Sequence, residues 1–190
     1  MATGSYFELL GLLPSAALDE ETLQCAYLAA TRTAHPDQQG GDAVVAAKLN
    51  AAVETLKSPV TRLRHLIETE SETPWRTIPL DQSMMGLFEK LAPLLQQTAG
   101  FLKKKQASTS ALTRALLASE EMRLREALET LNEQVEVHWQ ELERQLARFD
   151  DRVASGDPSV WNDLQAVQAR FAYLAKWRAQ IRELLLGLML

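Results

Sequence analysis

Two long segments in the second half of the chain repeat apolar residues every three or four positions. A helical period of 3.6 residues places such residues on one face of a helix. Between the segments, Gly156, Asp157 and Pro158 are typical of a turn that ends one helix and starts the next. The apolar positions are Leu124, Leu128, Leu131, Val135, Trp139, Leu142, Leu146, Phe149 and Val153, then Val160, Leu164, Val167, Phe171, Leu174, Ile181, Leu185 and Leu188. The pattern predicts two long antiparallel helices with a shared apolar seam.

Capping residues and prolines divide the first seventy residues into four shorter helices. Ser58 is a favourable cap with a proline directly after it, and Pro36 disfavours helical backbone at His35. The predicted helices run from Tyr6 to about Leu12, from Asp19 to about Ala34, from Asp42 through Leu56, and from Ser58 through Ile67. Short helices therefore precede the long ones.

Two prolines between Glu70 and Leu80 indicate a linker. Asp81 then caps a helix to about Lys103, and Lys103 to about Ser119 is expected to connect it to the next helix. No segment shows the two-residue alternation of a strand. We therefore predict an all-α chain. Its expected parts are an N-terminal domain over 1–69, a linker over 70–80 and a C-terminal three-helix bundle over 81–190.

Composition and charge exclude several classes of protein. A net charge of −5 over 190 residues argues against nucleic-acid binding. One cysteine, Cys25, excludes a disulfide framework and a cysteine-based zinc site. Three histidines on separate elements lack metal-ligand spacing, so we expect no metal and no cofactor. The chain has no apolar run of transmembrane length and no targeting signal at its start, so we expect a cytoplasmic protein without membrane contact.

The tripeptide His35-Pro36-Asp37 lies in the loop between the second and third predicted helices. Alone, the tripeptide is weak evidence of a function, since an exposed loop often contains these residue types. A hydrolase built on His35 and Asp37 is disfavoured because no nucleophile or pocket accompanies them. We therefore predict that the protein is not an enzyme.

The surroundings of the tripeptide make residues 6–67 resemble a J-domain, the Hsp70-activating module of DnaJ-type co-chaperones. The residues that carry the resemblance are Tyr6-Phe7-Glu8-Leu9-Leu10-Gly11, Tyr27, Leu49-Asn50-Ala51-Ala52 through Leu56, Pro59 and Arg62. The resemblance implies a helical hairpin with two short flanking helices. It also implies that His35, Pro36, Asp37 and Arg32 bind an Hsp70-type chaperone and stimulate its ATP hydrolysis.

The chain departs from the J-domain pattern at two places. Arg32 is the only basic residue between Asp19 and Ala34, where typical J-domains carry several, so electrostatic steering toward an acidic Hsp70 surface should be weak. His65 stands where an aromatic residue is expected, which we interpret as packing.

An N-terminal J-domain, a short linker and a helical bundle of this size resemble the HscB family, which delivers an IscU-type iron–sulfur scaffold protein to a dedicated Hsp70. No Gly/Phe-rich linker or CxxCxGxG repeat of general DnaJ proteins is present. The residues at the family's scaffold-binding spacings are Met84, Met85, Phe88 and Glu89, then Tyr173 and Trp177. The family's further acidic residues are replaced by Ala92 and Pro93.

Helical geometry leaves two interpretations of Tyr173 and Trp177. Both lie off the face defined by the apolar seam, which suits a partner-binding surface. A third helix of the bundle would instead cover them. A J-domain protein with another client, whose bundle forms a homo-oligomer, is the alternative function, since an apolar seam also suits a dimeric coiled coil.

Overall fold

Every regular element in the computed structural model, which describes residues 4–34, 43–108 and 110–189, is an α-helix. The helices are α1 (Tyr6–Leu9), α2 (Glu20–Ala34), α3 (Ala43–Lys57), α4 (Pro59–Glu70), α5 (Gln82–Ala107), α6 (Ala111–Ala154) and α7 (Val160–Met189). The prediction of an all-α fold is confirmed. Within the described ranges, none of these helices combines the length and apolar character needed to cross a membrane.

The predicted capping residues Ser58 and Asp81 begin their helices as expected, whereas the predicted cap Asp42 lies outside the described residues. The Ser58 hydroxyl accepts the N–H of Val60 at 3.3 Å, and the Asp81 carboxylate accepts the N–H of Met84 at 3.1 Å. The turn before α7 contains Gly156 at φ +75°, a left-handed conformation that glycine adopts without strain. Local sequence chemistry therefore fixes these boundaries.

Several helix boundaries differ from prediction, including the end of α4, which lies at Glu70 instead of Ile67. Helix α1 ends at Leu9 instead of about Leu12, and Gly11 follows at φ +67°. The connection expected over Lys103 to Ser119 is limited to residues 108–110, because α5 continues to Ala107 and α6 begins at Ala111. The residues in this stretch include no proline or glycine, so nothing in the backbone prevents both helices from extending.

The chain forms two compact units whose boundaries differ from the predicted 1–69, 70–80 and 81–190. The first unit contains Met1–Ile78 together with Leu142–Phe171, and the second contains Pro79–Glu141 and Ala172–Leu190. Helices α6 and α7 each contribute residues to both units. The predicted division into separately folding domains stays a prediction, since compactness does not test independent folding.

In the first unit, α3 packs against α1, α2 and α4. The apolar side chains buried between these helices are Phe7, Leu23, Leu49, Ala52, Leu56, Leu63, Leu66 and Ile67. Burying large side chains is worth about 1.5–3 kcal/mol each before entropy is counted, so this core holds the short helices together.

Side chains from two distant helices hold the turn that precedes α2. Asp150 on α6 accepts the Ser15 hydroxyl at 2.7 Å, the N–H of Ala17 at 3.0 Å and also the N–H of Ala16. Arg62 on α4 donates from Nε to the Ala16 carbonyl at 3.0 Å. Both backbone polar groups of the buried Ala16 are therefore paired with charged side chains. We call this arrangement the Ala16 clamp.

Arg62 is a buried cation whose partners compensate for its loss of water. Its Nη1 donates to the Leu56 carbonyl at 2.9 Å. Burial lowers the pKa of Arg62 from its ordinary value, while the carboxylates of Glu143 and Asp150 oppose that shift. The guanidinium stays protonated in the protein, so it needs these acceptors.

The segment predicted as a linker is non-helical but is attached to α7. The buried Gln165 side chain donates to the Pro74 carbonyl at 3.2 Å and accepts the N–H of Arg76 at 3.2 Å. The Arg76 guanidinium also donates to Asn162 at 2.7 Å. The part of the segment up to Ile78 therefore belongs to the first unit and is bonded to α7, whereas Pro79 and Leu80 belong to the second unit.

His65 on α4 packs against α1, in agreement with the packing role inferred for it. Its Nε2 accepts the N–H of Tyr6 at 2.8 Å, and its ring lies 4.6 Å from the Tyr6 ring and 5.9 Å from the Phe7 ring. Because Nε2 is an acceptor here, the imidazole is neutral and the proton lies on Nδ1. Burial lowers the pKa of His65.

The second unit is a three-helix bundle made of α5, the first part of α6 and the last part of α7. Lys105 on α5 bonds to the Glu121 carboxylate at 3.1 Å and to the Leu188 carbonyl at 2.9 Å. Arg178 on α7 pairs with Glu136 at 3.0 Å and lies 4.5 Å from the centre of the Trp139 ring. These contacts join all three helices.

Replacing Asp150 with alanine should lower the free energy of unfolding by about 2–3 kcal/mol, because three donors of the Ala16 clamp lose a charged acceptor. Urea unfolding at neutral pH measures the change. Asp151→Ala, at the exposed neighbouring position, is the control and should change stability by less than about 0.5 kcal/mol. Equal effects of the two substitutions would show that the bonds made by Asp150 in the clamp contribute no stability.

His65 should make folding stability decrease as the pH falls. Its pKa lies below the ordinary 6.5 in the folded chain, so the unfolded chain binds the proton more tightly. Stability is therefore complete above about pH 7 and is lost progressively below about pH 6.5. His65→Phe should reduce the difference in unfolding free energy between pH 7.5 and pH 5.5, whereas the control His138→Gln should retain it. An unchanged pH dependence in His65→Phe would contradict the assignment.

Candidate functional site

The first candidate region is the hairpin of α2 and α3. Asp19 begins α2 by accepting the Thr22 hydroxyl at 2.6 Å and the Thr22 N–H at 2.8 Å. The Thr22 hydroxyl, followed by the Thr22 N–H, holds the pKa of the exposed Asp19 below its ordinary value. A charged acceptor at this position also suits the positive end of the helix dipole.

Two contacts fix the antiparallel register of the hairpin. The Tyr27 hydroxyl donates to Asn50 at 2.7 Å, and Lys57 lies 4.0 Å from Glu20. In each pair the two residue numbers add up to 77. A constant sum is expected for opposed residues of two antiparallel helices, so both contacts report the same register. Consequently the end of α2 lies beside the start of α3.

The predicted Hsp70-binding residues are Arg32 in α2 and three residues that follow α2 in the sequence. His35, Pro36 and Asp37 lie outside the described residues, so their role stays a prediction. Arg32 is described and lies exposed in the last turn of α2. Its exposure leaves it accessible to a partner, and its assignment also stays a prediction.

An outward-facing leucine on the same helix was missed by sequence reasoning. Leu28 is 49% exposed although it is a large apolar residue within a helix that packs on α3. Its spacing from Arg32, four residues along the helix, is the signal that could have identified it.

The second candidate region lies in the helical bundle, on α5 and α7. Met85 and Phe88 on α5 are 40% and 41% exposed, and Glu89 is exposed beside them. Tyr173 on α7 is half-buried. These four residues remain candidates for contact with a partner, and we call them the bundle surface patch.

Two predicted contact residues are buried instead. Met84 is 1% exposed and Trp177 is 3% exposed. The Trp177 ring lies 6.2 Å from the Phe88 ring and 6.1 Å from the Tyr173 ring. The expectation that Trp177 faces outward is wrong, because α5 covers that side of α7. Met84 and Trp177 support the patch from below and do not form its surface.

The described residues contain no group of three or more histidine, cysteine or acidic side chains suited to holding a metal ion. All buried side-chain nitrogen and oxygen atoms in these ranges have hydrogen-bond partners. Both candidate regions consist of exposed helix faces, so their geometry suits protein recognition.

Comparison with known proteins identifies distant relatives. The chain is 27% identical over 106 residues to proteins named co-chaperone protein HscB homolog from Neisseria meningitidis serogroups A, B and C. Each match covers 50% of this chain and 64% of the relative, so the chain spans less than two thirds of the length of these curated relatives. No family model and no solved structure matches. The similarity confirms the resemblance to HscB at a sequence identity of 27%.

Proposed function

We propose that the protein is a J-type co-chaperone that acts in iron–sulfur cluster assembly. The observation that carries the proposal is the antiparallel pairing of α2 and α3, two helices that are connected in the sequence by the segment containing His35-Pro36-Asp37. The similarity to proteins named co-chaperone HscB homolog supports it. The loop and Arg32 engage an Hsp70-type chaperone and stimulate its ATP hydrolysis, and the protein itself performs no chemistry.

The bundle surface patch is the proposed site for an IscU-type iron–sulfur scaffold protein. Met85, Phe88 and Tyr173 supply apolar and aromatic area, and Glu89 supplies a charge at the edge. Such a composition is typical of interface centres with a polar rim. The stacked Trp177 beneath Phe88 limits side-chain motion and so lowers the entropy cost of binding. Delivery takes place in the cytoplasm and needs no cofactor bound to this chain.

A second candidate function is a J-type co-chaperone for another client, with a bundle that forms a homodimer. Leu112 and Leu116 favour it, because they are 71% and 74% exposed and lie one turn apart at the start of α6. Light scattering separates the two functions. A scaffold carrier that does not dimerise through these leucines has the molar mass of one chain, whereas the homodimer has twice that mass.

Asp37→Asn should abolish stimulation of the partner ATPase while the fold stays intact. Loss of one charge-assisted bond corresponds to about 1.5–3 kcal/mol, or about 10–100-fold in affinity. Single-turnover ATP hydrolysis by the cognate Hsp70 measures stimulation, and thermal unfolding should shift by less than about 1 kcal/mol. Gln39→Ala in the same loop is the control. Normal stimulation by Asp37→Asn would contradict the J-type mechanism.

Phe88→Ala combined with Tyr173→Ala should lower affinity for a purified IscU-type scaffold by at least about 30-fold, because truncated interface anchors often cost 2 kcal/mol or more. ATPase stimulation without client should remain normal. Titration calorimetry measures binding, and circular dichroism melting measures stability.

A neighbouring pair of methionines provides the control for this experiment. Met84→Ala should cost about 2–5 kcal/mol of stability because the side chain is 1% exposed. Met85→Ala should weaken scaffold binding with little loss of stability. Unchanged scaffold affinity in both the double variant and Met85→Ala would exclude the bundle surface patch as the scaffold site.

A further inference from the structure

Helix α5 contains a proline one turn beyond the bundle surface patch. Pro93 lies inside Gln82–Ala107, far from either end, and it is exposed. A proline has no backbone N–H, so the helical hydrogen bond from residue 93 to the Glu89 carbonyl cannot form. The Glu89 carbonyl therefore lacks the donor that a carbonyl inside an α-helix normally receives.

The missing hydrogen bond is on the side of α5 that faces solvent. Glu89 and Pro93 are four positions apart, so they lie on one side of the helix, and both are exposed. The neighbouring buried residues are Leu87 and Leu91. Each is two positions from Glu89, which turns the helix by about 200° and places them on the opposite side. A donor from another molecule can therefore approach the Glu89 carbonyl.

The Glu89 side chain is a second open acceptor. Its carboxylate is exposed and makes no hydrogen bond or ion pair with any residue that the structure describes. An ionised carboxylate only accepts hydrogen bonds, as a carbonyl does. One residue thus offers a neutral and a charged acceptor, directly after Phe88, which is 41% exposed.

We infer that Glu89 binds a cationic side chain of the scaffold, a lysine or an arginine, through its carbonyl and its carboxylate together. Pro93 is the positioning residue that keeps the carbonyl available. The inference rests on the proposed function of the bundle surface patch. An ammonium or a guanidinium has several N–H donors and a positive charge, so it suits both acceptors at once.

The first test restores the missing backbone donor. Pro93→Ala gives residue 93 an N–H that bonds to the Glu89 carbonyl, and it removes a residue that is unfavourable inside a helix. The variant should therefore melt at a higher temperature, yet bind a purified IscU-type scaffold at least about fivefold more weakly. Titration calorimetry of the full chain, at a temperature where circular dichroism shows every variant folded, measures binding. A proline with a structural role alone would not weaken binding in a more stable protein.

A second variant separates the backbone N–H from the proline ring. Pro93→Leu keeps an apolar side chain of comparable size and also restores the N–H. We expect it to bind the scaffold as weakly as Pro93→Ala does. Gln97→Ala is the control, because Gln97 is exposed one turn further along the same side of α5, and it should leave the affinity unchanged. Wild-type affinity in Pro93→Leu would assign the loss to the ring and overturn the inference.

The charge of the bound group is tested at Glu89. Glu89→Gln keeps the backbone carbonyl and removes the negative charge, so it should weaken the binding of a cation and reduce the salt dependence of the affinity. Adding Pro93→Ala to this variant should lower the affinity further, because the carbonyl still accepts a hydrogen bond. Unchanged affinity and salt dependence in Glu89→Gln would show that the bound group is not a cation.

The outcomes separate this inference from the function it rests on. Wild-type affinity in Pro93→Ala would show that the scaffold does not use the Glu89 carbonyl, which overturns the inference and leaves the bundle surface patch as the scaffold site. Failure of the wild type to bind the scaffold would overturn both.

Discussion

The Ala16 clamp is the interaction on which the first unit depends. It joins the turn before α2 to Asp150 and Arg62, residues distant in the sequence. Burying the Arg62 guanidinium is costly, so the carbonyls of Ala16 and Leu56 must be in place when it is buried. The start of α2 is therefore determined by α4 and α6 as well as by its own cap.

This dependence explains why residues 142–171 belong to the same compact unit as the four short helices. The Asp150 carboxylate and the Gln165 side chain both satisfy backbone groups of the N-terminal part. Those backbone groups would otherwise need water as a partner. The first compact unit thus includes segments of the two longest described helices.

The two proposed contact surfaces differ in how they are built. The first consists of the exposed side chains of Leu28 and Arg32 on α2, a helix that packs on α3. The bundle surface patch is layered, with Trp177 buried under Phe88 and Tyr173. Truncation of Phe88 or Tyr173 in the patch therefore also changes packing against Trp177. The two surfaces lie in different compact units.

Local sequence chemistry was sufficient to predict where most of the helices lie in the chain. Every apolar position predicted for the seam in α6 from Leu124 to Leu146 is buried, because a 3.6-residue period requires them to share one face. Ser58 and Asp81 begin helices because their oxygens accept free backbone N–H groups. The J-domain resemblance was likewise carried by short motifs within residues 6–67.

Only the tertiary structure decided which faces are covered and which distant groups pair. Periodicity alone did not decide whether the Trp177 side chain is buried or exposed. The sequence of one helix does not show that a third helix packs on its second face, which buries this residue. Asp150 had no local signal, because its donors lie more than 130 positions away. The sequence by itself determined the helices, whose hydrogen bonds are local. The clamp, the burial of Met84 and the exposure of Leu28 depend on packing between segments that the sequence does not place together.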